Sequence, residues 1–166
     1  MKSGSKGAPI SLRARALKYL ARREYSRAEL RGKLLPHAQA VDDFEQAIDS
    51  TGPVNLEALL DDLTERGWLS DVRAASQLVH AKRSRFGLQR ITHELRQKGI
   101  AEELISAALP ALKDSELDAA REVWRKKFGT APHDEKEKAK QIRFLQSRGF
   151  SLDAIFTVLR FMETED

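Results

Sequence analysis

The 166-residue chain contains no cysteine. That absence excludes disulfides, thiolate nucleophiles, and zinc or iron–sulfur sites with cysteine ligands. The sequence also has no apolar run near 18 residues, the length that a membrane-spanning helix requires. Residues 1–10 contain no hydrophobic stretch of the kind found in secretory signals, so we expect a cytoplasmic protein.

Patterns typical of enzymes are missing too. The nine glycines are scattered singly, so no glycine-rich phosphate loop is present. His93-Glu94 resembles the start of a zinc-protease motif, but Gln97 stands where the second histidine ligand belongs. Neighbouring carboxylates such as Asp61 and Asp62 point about 100° apart on a helix, so they do not share a proton. We therefore predict no catalytic residues, no metal site and no cofactor.

The charged residues are arranged in alternating blocks. Residues 1–35 contain ten Lys or Arg and two Asp or Glu, whereas residues 36–65 contain eight Asp or Glu and no Lys or Arg. The alternation continues through a basic, an acidic, a basic and an acidic block, over residues 66–100, 101–120, 121–150 and 151–166. Such alternation indicates a repeated unit of fixed polarity.

Hydrophobic spacing identifies that unit. Leu56, Leu59, Leu60 and Leu63 fall at i, i+3, i+4 and i+7, the pattern of an amphipathic helix. The same template recurs with starts 45 and 51 residues further on, at residues 101–108 and then 152–159. The alternating pattern of strands is absent. We predict an all-α fold, an elongated array of three tandem three-helix repeats.

The predicted organisation has four parts, namely a disordered tail and three repeats, at residues 1–10, 11–69, 70–113 and 114–166. The first repeat is longer because residues 36–55 form an acidic insertion, which could carry a turn or two of helix around Val41–Ile48. It is interpreted as a solvated excursion, with a partner-contacting loop as the alternative. Nine helices are predicted, over residues 11–23, 26–35, 55–66, 71–85, 88–98, 101–112, 115–128, 134–148 and 151–163.

Local signals support these boundaries. Ser26 and Glu29 have the spacing of a capping box, in which each side chain accepts a hydrogen bond from the other residue's amide. Gly67, Gly99 and Gly149 follow predicted helices, where the turn often requires a positive φ. We therefore expect sharp helix ends at these positions.

Basic residues cluster on helices of all three repeats. Such clusters suit a phosphate backbone or an acidic protein surface, although a basic helix can also remain simply solvated. Base-specific reading has little support, because Asn55 is the only asparagine. The candidate residues for binding DNA or a partner are Arg22, Arg23, Arg27, Arg31, Arg83, Arg85, Arg90, Arg96, Lys98, Lys126, Lys127, Lys140, Arg143 and Arg148.

Several stretches together resemble the RecX family of regulatory proteins, over roughly residues 12–161. The most specific are Gly67-Trp68-Leu69-Ser70-Asp71, Phe86-Gly87, and Glu94-Leu95-Arg96-Gln97-Lys98-Gly99-Ile100. One departure is Leu88, since family members usually have a proline there. Proline at the first position of a helix fixes φ, and this chain lacks that constraint.

The resemblance implies a non-enzymatic regulator that binds RecA and the RecA–single-stranded DNA filament. It implies inhibition of RecA ATPase, strand-exchange and co-protease activities, and hence a part in DNA repair, recombination and the SOS response. We expect weak direct DNA binding and, because the apolar stripes are used within the array, a monomer. Two alternatives stay open: an independent DNA-binding helical regulator, and a helical-repeat adaptor with no nucleic-acid role.

Overall fold

A computed structural model describes residues 10–42 and 55–165, and all regular secondary structure within those ranges is helical. The helices are α1 (Leu12–Leu20), α2 (Arg27–Asp42), α3 (Leu56–Glu65), α4 (Asp71–Lys82), α5 (Leu88–Gln97), α6 (Glu102–Lys127), α7 (Glu135–Ser147) and α8 (Leu152–Glu165). The all-α prediction is confirmed.

The chain forms two compact units, Met1–Asp71 and Val72–Asp166, called unit 1 and unit 2 below. In unit 1, α1, α2 and α3 surround one apolar core, and the predicted leucine stripe of α3 is buried in it. Leu30 and Leu34 meet that stripe from α2 and are fully buried. The i, i+3, i+4, i+7 spacing therefore marks a true core face.

Unit 2 contains two apolar cores. One is built around Ile91, Leu95 and Ile105. The other surrounds Leu145 and Trp124, whose indole N–H donates to the Gln141 side-chain oxygen at 2.7 Å. Helices α4, α5 and the first half of α6 supply one core, and the second half of α6, α7 and α8 supply the other.

Helix α6 differs from the prediction. Separate helices were expected over residues 101–112 and 115–128, but α6 runs without interruption through both and includes Pro110. Its first half buries Ile105 in one core of unit 2, and its second half buries Trp124 in the other. Proline inside a helix costs about 3 kcal/mol, and burial along both halves offsets that cost.

Helix α2 is also longer than predicted. It was predicted to end at residue 35 but continues through Pro36 to Asp42, so the first part of the predicted acidic insertion belongs to α2. The remainder of the insertion, residues 43–54, lies outside the described residues. The predicted tail lies outside them too, except for Ile10.

The predicted helix-start signal at Ser26 is confirmed. The Ser26 amide donates to a Glu29 carboxylate oxygen at 3.1 Å, and the Glu29 amide donates to Ser26 Oγ at 3.1 Å. This reciprocal capping box satisfies amides at the start of α2 that have no partner inside the helix.

The predicted turn glycines are confirmed as well. Gly67, Gly99 and Gly149 have φ of +71°, +71° and +83°. Each turn closes with the same pair of backbone hydrogen bonds. At Gly99, for example, the Gly99 amide donates to the Arg96 carbonyl at 2.9 Å and the Ile100 amide donates to the Leu95 carbonyl at 3.1 Å. Residues with side chains rarely adopt this left-handed conformation, so glycine is required.

Candidate nucleic-acid interface

The candidate arginines on α2 of unit 1 form ion pairs with α3. Arg27 lies 2.7 Å from an Asp61 oxygen and 3.2 Å from a Glu57 oxygen, and Arg31 also pairs with Glu57. Hydrogen bonds from Arg31 and then Arg27 hold the pKa of Glu57 below its ordinary value. These two arginines therefore join α2 to α3, and their charge is largely balanced.

The loop before α2 holds two further candidates. Arg23 lies 3.0 Å from a Glu29 oxygen, and its guanidinium lies 3.7 Å from the centre of the Tyr25 ring. The hydrogen bond to Glu29 raises the Arg23 pKa above its ordinary value despite some desolvation. Arg22 is exposed and makes no ion pair with any described residue.

In unit 2 several cations lie against two phenylalanine rings. Arg90 lies 4.4 Å from the Phe86 ring centre, and Arg148 lies 5.5 Å from it and 5.2 Å from the Phe144 ring centre. All are within the range of a cation–π interaction. We call this group the cation–aromatic cluster, and its members are Lys82, Phe86, Arg90, Lys127, Phe144 and Arg148.

Two glycines bring the halves of this cluster together. The Gly87 amide donates to the Arg148 carbonyl at 2.9 Å, and the Gln89 amide donates to the Gly149 carbonyl at 3.1 Å. A Cβ atom at Gly87 would lie 2.3 Å from the Gly149 oxygen, and one at Gly149 would lie 2.3 Å from Arg90 Cβ. The start of α5 therefore packs directly on the turn between α7 and α8.

A buried carboxylate stabilises the same junction. Glu116 of α6 is 8% exposed and accepts hydrogen bonds from the Leu88 amide (3.0 Å), the Ser151 amide (3.0 Å) and Ser151 Oγ (2.8 Å). It thus caps the N-termini of α5 and α8 together. The amide that Leu88 donates to Glu116 is one that a proline at this position would lack.

The cluster leaves hydrogen-bond donors unused. Within the described residues the Arg148 side chain donates no hydrogen bond, and Arg90 donates one, to the Ser147 carbonyl at 3.2 Å. A guanidinium over a ring keeps its charge, and its in-plane N–H groups can still bind two phosphate oxygens. Lys127, at the end of α6, adds a third positive charge beside the Phe144 ring.

The other candidates of unit 2 are not among the cations that contact the two rings. Arg96 pairs with Glu102, which raises the Arg96 pKa, and Lys126 pairs with Glu122 at 3.2 Å. Lys98 is half-buried at the end of α5. The remaining candidates are exposed and make no ion pair among the described residues, namely Arg83, Arg85, Lys140 and Arg143.

Four contributors were not among the candidate site residues selected from the sequence, namely Lys82, Phe86, Phe144 and Glu116. A signal for Phe144 was present, because Phe144 and Arg148 have the i, i+4 spacing that brings side chains together at the end of α7. Phe86 precedes α5, so its spacing to Arg90 is not a helical signal. For Glu116 there was no local signal, since its partners lie 28 and 35 residues away.

Base-specific reading, metal binding and membrane insertion are not supported by the described residues. Asn55 caps α3 by accepting from the Glu57 and Ala58 amides, so its side chain is already used. In the described ranges, no set of three or more His, Asp or Glu side chains could hold a metal ion. No helix within residues 10–42 and 55–165 is long and apolar enough to cross a bilayer.

Tandem three-helix domains with a cation-rich surface define a helical-repeat binding protein. Family models described as the first, second and third three-helix domains of RecX match residues 13–49, 70–109 and 114–159. The chain belongs to the RecX family of regulatory proteins. Helix α6 therefore spans the second and third domains of this family.

Individual relatives agree with that assignment. Regulatory protein RecX of Leptothrix cholodnii is 48% identical, covering 94% of this chain and 92% of its own. Regulatory protein RecX of Ralstonia nicotianae is 42% identical, covering 92% and 88%. The crystal structure of RecX from Lactobacillus salivarius matches with a TM-score of 0.66 at 18% identity, covering 92% and 95%, and supports the fold.

Proposed function

We propose that this protein binds RecA and the RecA–single-stranded DNA filament in the cytoplasm and inhibits RecA ATPase, strand-exchange and co-protease activities. Membership of a family of regulatory proteins supports the regulatory role. The observation that carries the proposal is the cation–aromatic cluster, whose Arg90 and Arg148 keep their charge and most of their donors.

The cluster suits the phosphate part of such a filament. Arg90, Arg148 and Lys127 present three positive charges around two rings, and each phosphate contact adds a modest, salt-dependent increment of affinity. Half-buried rings position the cations rather than stack on bases, so binding is expected to be independent of base sequence. We therefore propose modest affinity for bare DNA and tighter binding to the filament, where protein contacts are added.

The test is the rate of ATP hydrolysis by RecA on circular single-stranded DNA, with this protein added well below the RecA concentration. We expect inhibition that is strong at substoichiometric amounts, because one bound molecule can stop filament growth at a given position. An unchanged ATPase rate and unchanged strand exchange at saturating protein would contradict the proposal. Omitting DNA serves as the control for indirect effects on RecA alone.

A further inference from the structure

A surface groove of about 330 Å³ runs between α4 and α6 within unit 2. The wall formed by α6 consists of Leu104 and small side chains, namely Ala107, Ala108 and Ala111. These four positions fall at i, i+3, i+4 and i+7, so they present one face of α6. Small residues on that face leave room for side chains brought by another helix.

The opposite wall is a face of α4. Val72, Ser76 and Val79 line the groove at i, i+4 and i+7, and Val72 is 56% exposed. Two facing helix surfaces with this spacing can receive the apolar ridge of a third helix, the helix-in-groove mode of recognition.

One end of the groove is cationic. Arg83 is the charged residue among the described residues that line it, and its side chain is exposed and has no carboxylate partner there. His80 lies beside it on the same wall. Arg27, Arg31 and Arg96 are ion-paired, whereas Arg83 makes no ion pair among the described residues and therefore favours an incoming helix that carries a carboxylate.

We propose that this groove binds an acidic amphipathic helix of the protein partner, with apolar side chains in the groove and a carboxylate against Arg83. The identity of the partner as RecA rests on the proposed function. The groove is a proposed protein-binding site, and none of its lining residues belongs to the cation–aromatic cluster, which is proposed to bind phosphate. The two kinds of contact are thus separable by substitution.

The first test uses two synthetic helical peptides of about 18 residues, with leucines at i, i+3, i+4 and i+7. Their polar positions carry glutamate in one peptide and lysine in the other. Titration of the full chain by fluorescence anisotropy should show the glutamate peptide binding about tenfold or more tightly than the lysine peptide. Arg83→Glu should remove that preference.

Groove-filling variants locate the binding site. Ala107→Trp places a bulky side chain at an exposed groove position and should weaken binding of the glutamate peptide about tenfold or more. Ser106→Trp is the matched control, because Ser106 is exposed on the same helix but does not line the groove. It should bind like the unsubstituted chain. Circular dichroism checks that both variants fold.

The second test uses RecA without DNA and a single-stranded oligonucleotide without RecA. Ala107→Trp should lose RecA binding and keep oligonucleotide binding. Three results would overturn the groove proposal. They are equal binding of both peptides, normal peptide binding by Ala107→Trp, and self-association through the groove, seen in sedimentation as a dimer that Ala107→Trp abolishes. Specific binding of the glutamate peptide without RecA binding would support the groove and contradict RecA as the partner.

Discussion

Two arginines of unit 1 and two of unit 2 meet different kinds of neighbour. Arg27 and Arg31 of unit 1 contact carboxylates of α3, whereas Arg90 and Arg148 of unit 2 lie over phenylalanine rings. A carboxylate cancels the charge of an arginine, while a ring attracts the cation and leaves its charge in place. Basic clusters of similar composition therefore differ in their capacity to bind a polyanion.

The two units also differ in how they hold the start of one helix, α2 in unit 1 and α5 in unit 2. In unit 1 the Asp71 carboxylate accepts from the Arg27 amide at 2.8 Å, at the start of α2. In unit 2 the buried Glu116 accepts from the Leu88 amide at the start of α5, and from Ser151 as well. Unit 2 thus concentrates its constraints at the junction that positions the cation–aromatic cluster.

The largest expected effect concerns the glycines of the two units. Gly149→Ala combines a positive φ with a Cβ 2.3 Å from Arg90 Cβ, whereas Gly67→Ala has a positive φ and open space around it. We expect the free energy of unfolding to fall by about 3 kcal/mol or more for Gly149→Ala, and by about 1 kcal/mol for Gly67→Ala. Urea unfolding followed by circular dichroism measures both.

Gly32→Ala is the control for that comparison. Gly32 lies inside α2, and no atom of a neighbouring group lies within 4 Å of the position that an alanine methyl would occupy. Alanine there should stabilise the chain by about 0.5–1 kcal/mol. Equal losses for Gly149→Ala and Gly67→Ala would show that the close approach of α5 to the α7–α8 turn carries no energetic weight.

The second prediction compares the two capping carboxylates. Glu116→Gln keeps the shape of the side chain but weakens its charge-assisted hydrogen bonds, and the new NH₂ group cannot accept a hydrogen bond as the carboxylate oxygen does. We expect a loss of about 2 kcal/mol in the free energy of unfolding. Asp71→Asn affects a half-buried group, and we expect about 1 kcal/mol. Urea midpoints at constant pH give both values, and a larger loss for Asp71→Asn would reverse the proposed ranking.

Much of this fold can be predicted from the sequence because its determinants are local. Amphipathic spacing indicated the helices, the Ser26–Glu29 box marked the start of α2, and Gly67, Gly99 and Gly149 marked helix ends. Each signal acts within about six residues of its own position, so reading the chain in short windows is sufficient.

What could not be predicted depends on distant residues. Separate helices were predicted over residues 101–112 and 115–128, yet α6 continues because its two halves bury side chains in different cores. The sequence likewise does not show which candidate arginines are ion-paired, because a partner such as Glu57 lies 26 residues from Arg31. Local patterns identify basic residues, but tertiary pairing decides which of them stay available.

The third prediction tests that availability directly. Arg90→Gln with Arg148→Gln should weaken binding to a single-stranded oligonucleotide about tenfold and reduce the log–log salt slope by about 0.7 for each phosphate that is no longer neutralised. Arg27→Gln with Arg31→Gln removes the same charge from unit 1 and should leave the salt slope unchanged. Fluorescence anisotropy at several salt concentrations measures both. Equal effects of the two pairs would mean that total charge, not pairing, governs DNA binding.

The smallest effect concerns the ion pairs of unit 1 at low pH. Hydrogen bonds from Arg31 and then Arg27 lower the pKa of Glu57, and those from Arg13 and then Arg66 lower the pKa of Asp62. A carboxylate with a lowered pKa stabilises the fold above its ordinary pKa, about 4.3 for Glu and 3.9 for Asp, and that contribution is lost as the pH falls through the lowered value.

Glu57→Gln should therefore destabilise the chain slightly at pH 7 and less at pH 3, because protonation of the unsubstituted carboxylate at falling pH removes its contribution. The effect stays small because both partners are exposed to solvent and screened. Glu103→Gln is the matched control, since Glu103 is exposed and makes no ion pair among the described residues. Urea midpoints at the two pH values give the difference for each variant. If Glu57→Gln and Glu103→Gln shift the pH 7 midpoint equally, the pairing of α2 arginines with α3 does not stabilise unit 1, and those arginines are as available for a polyanion as Arg90 and Arg148.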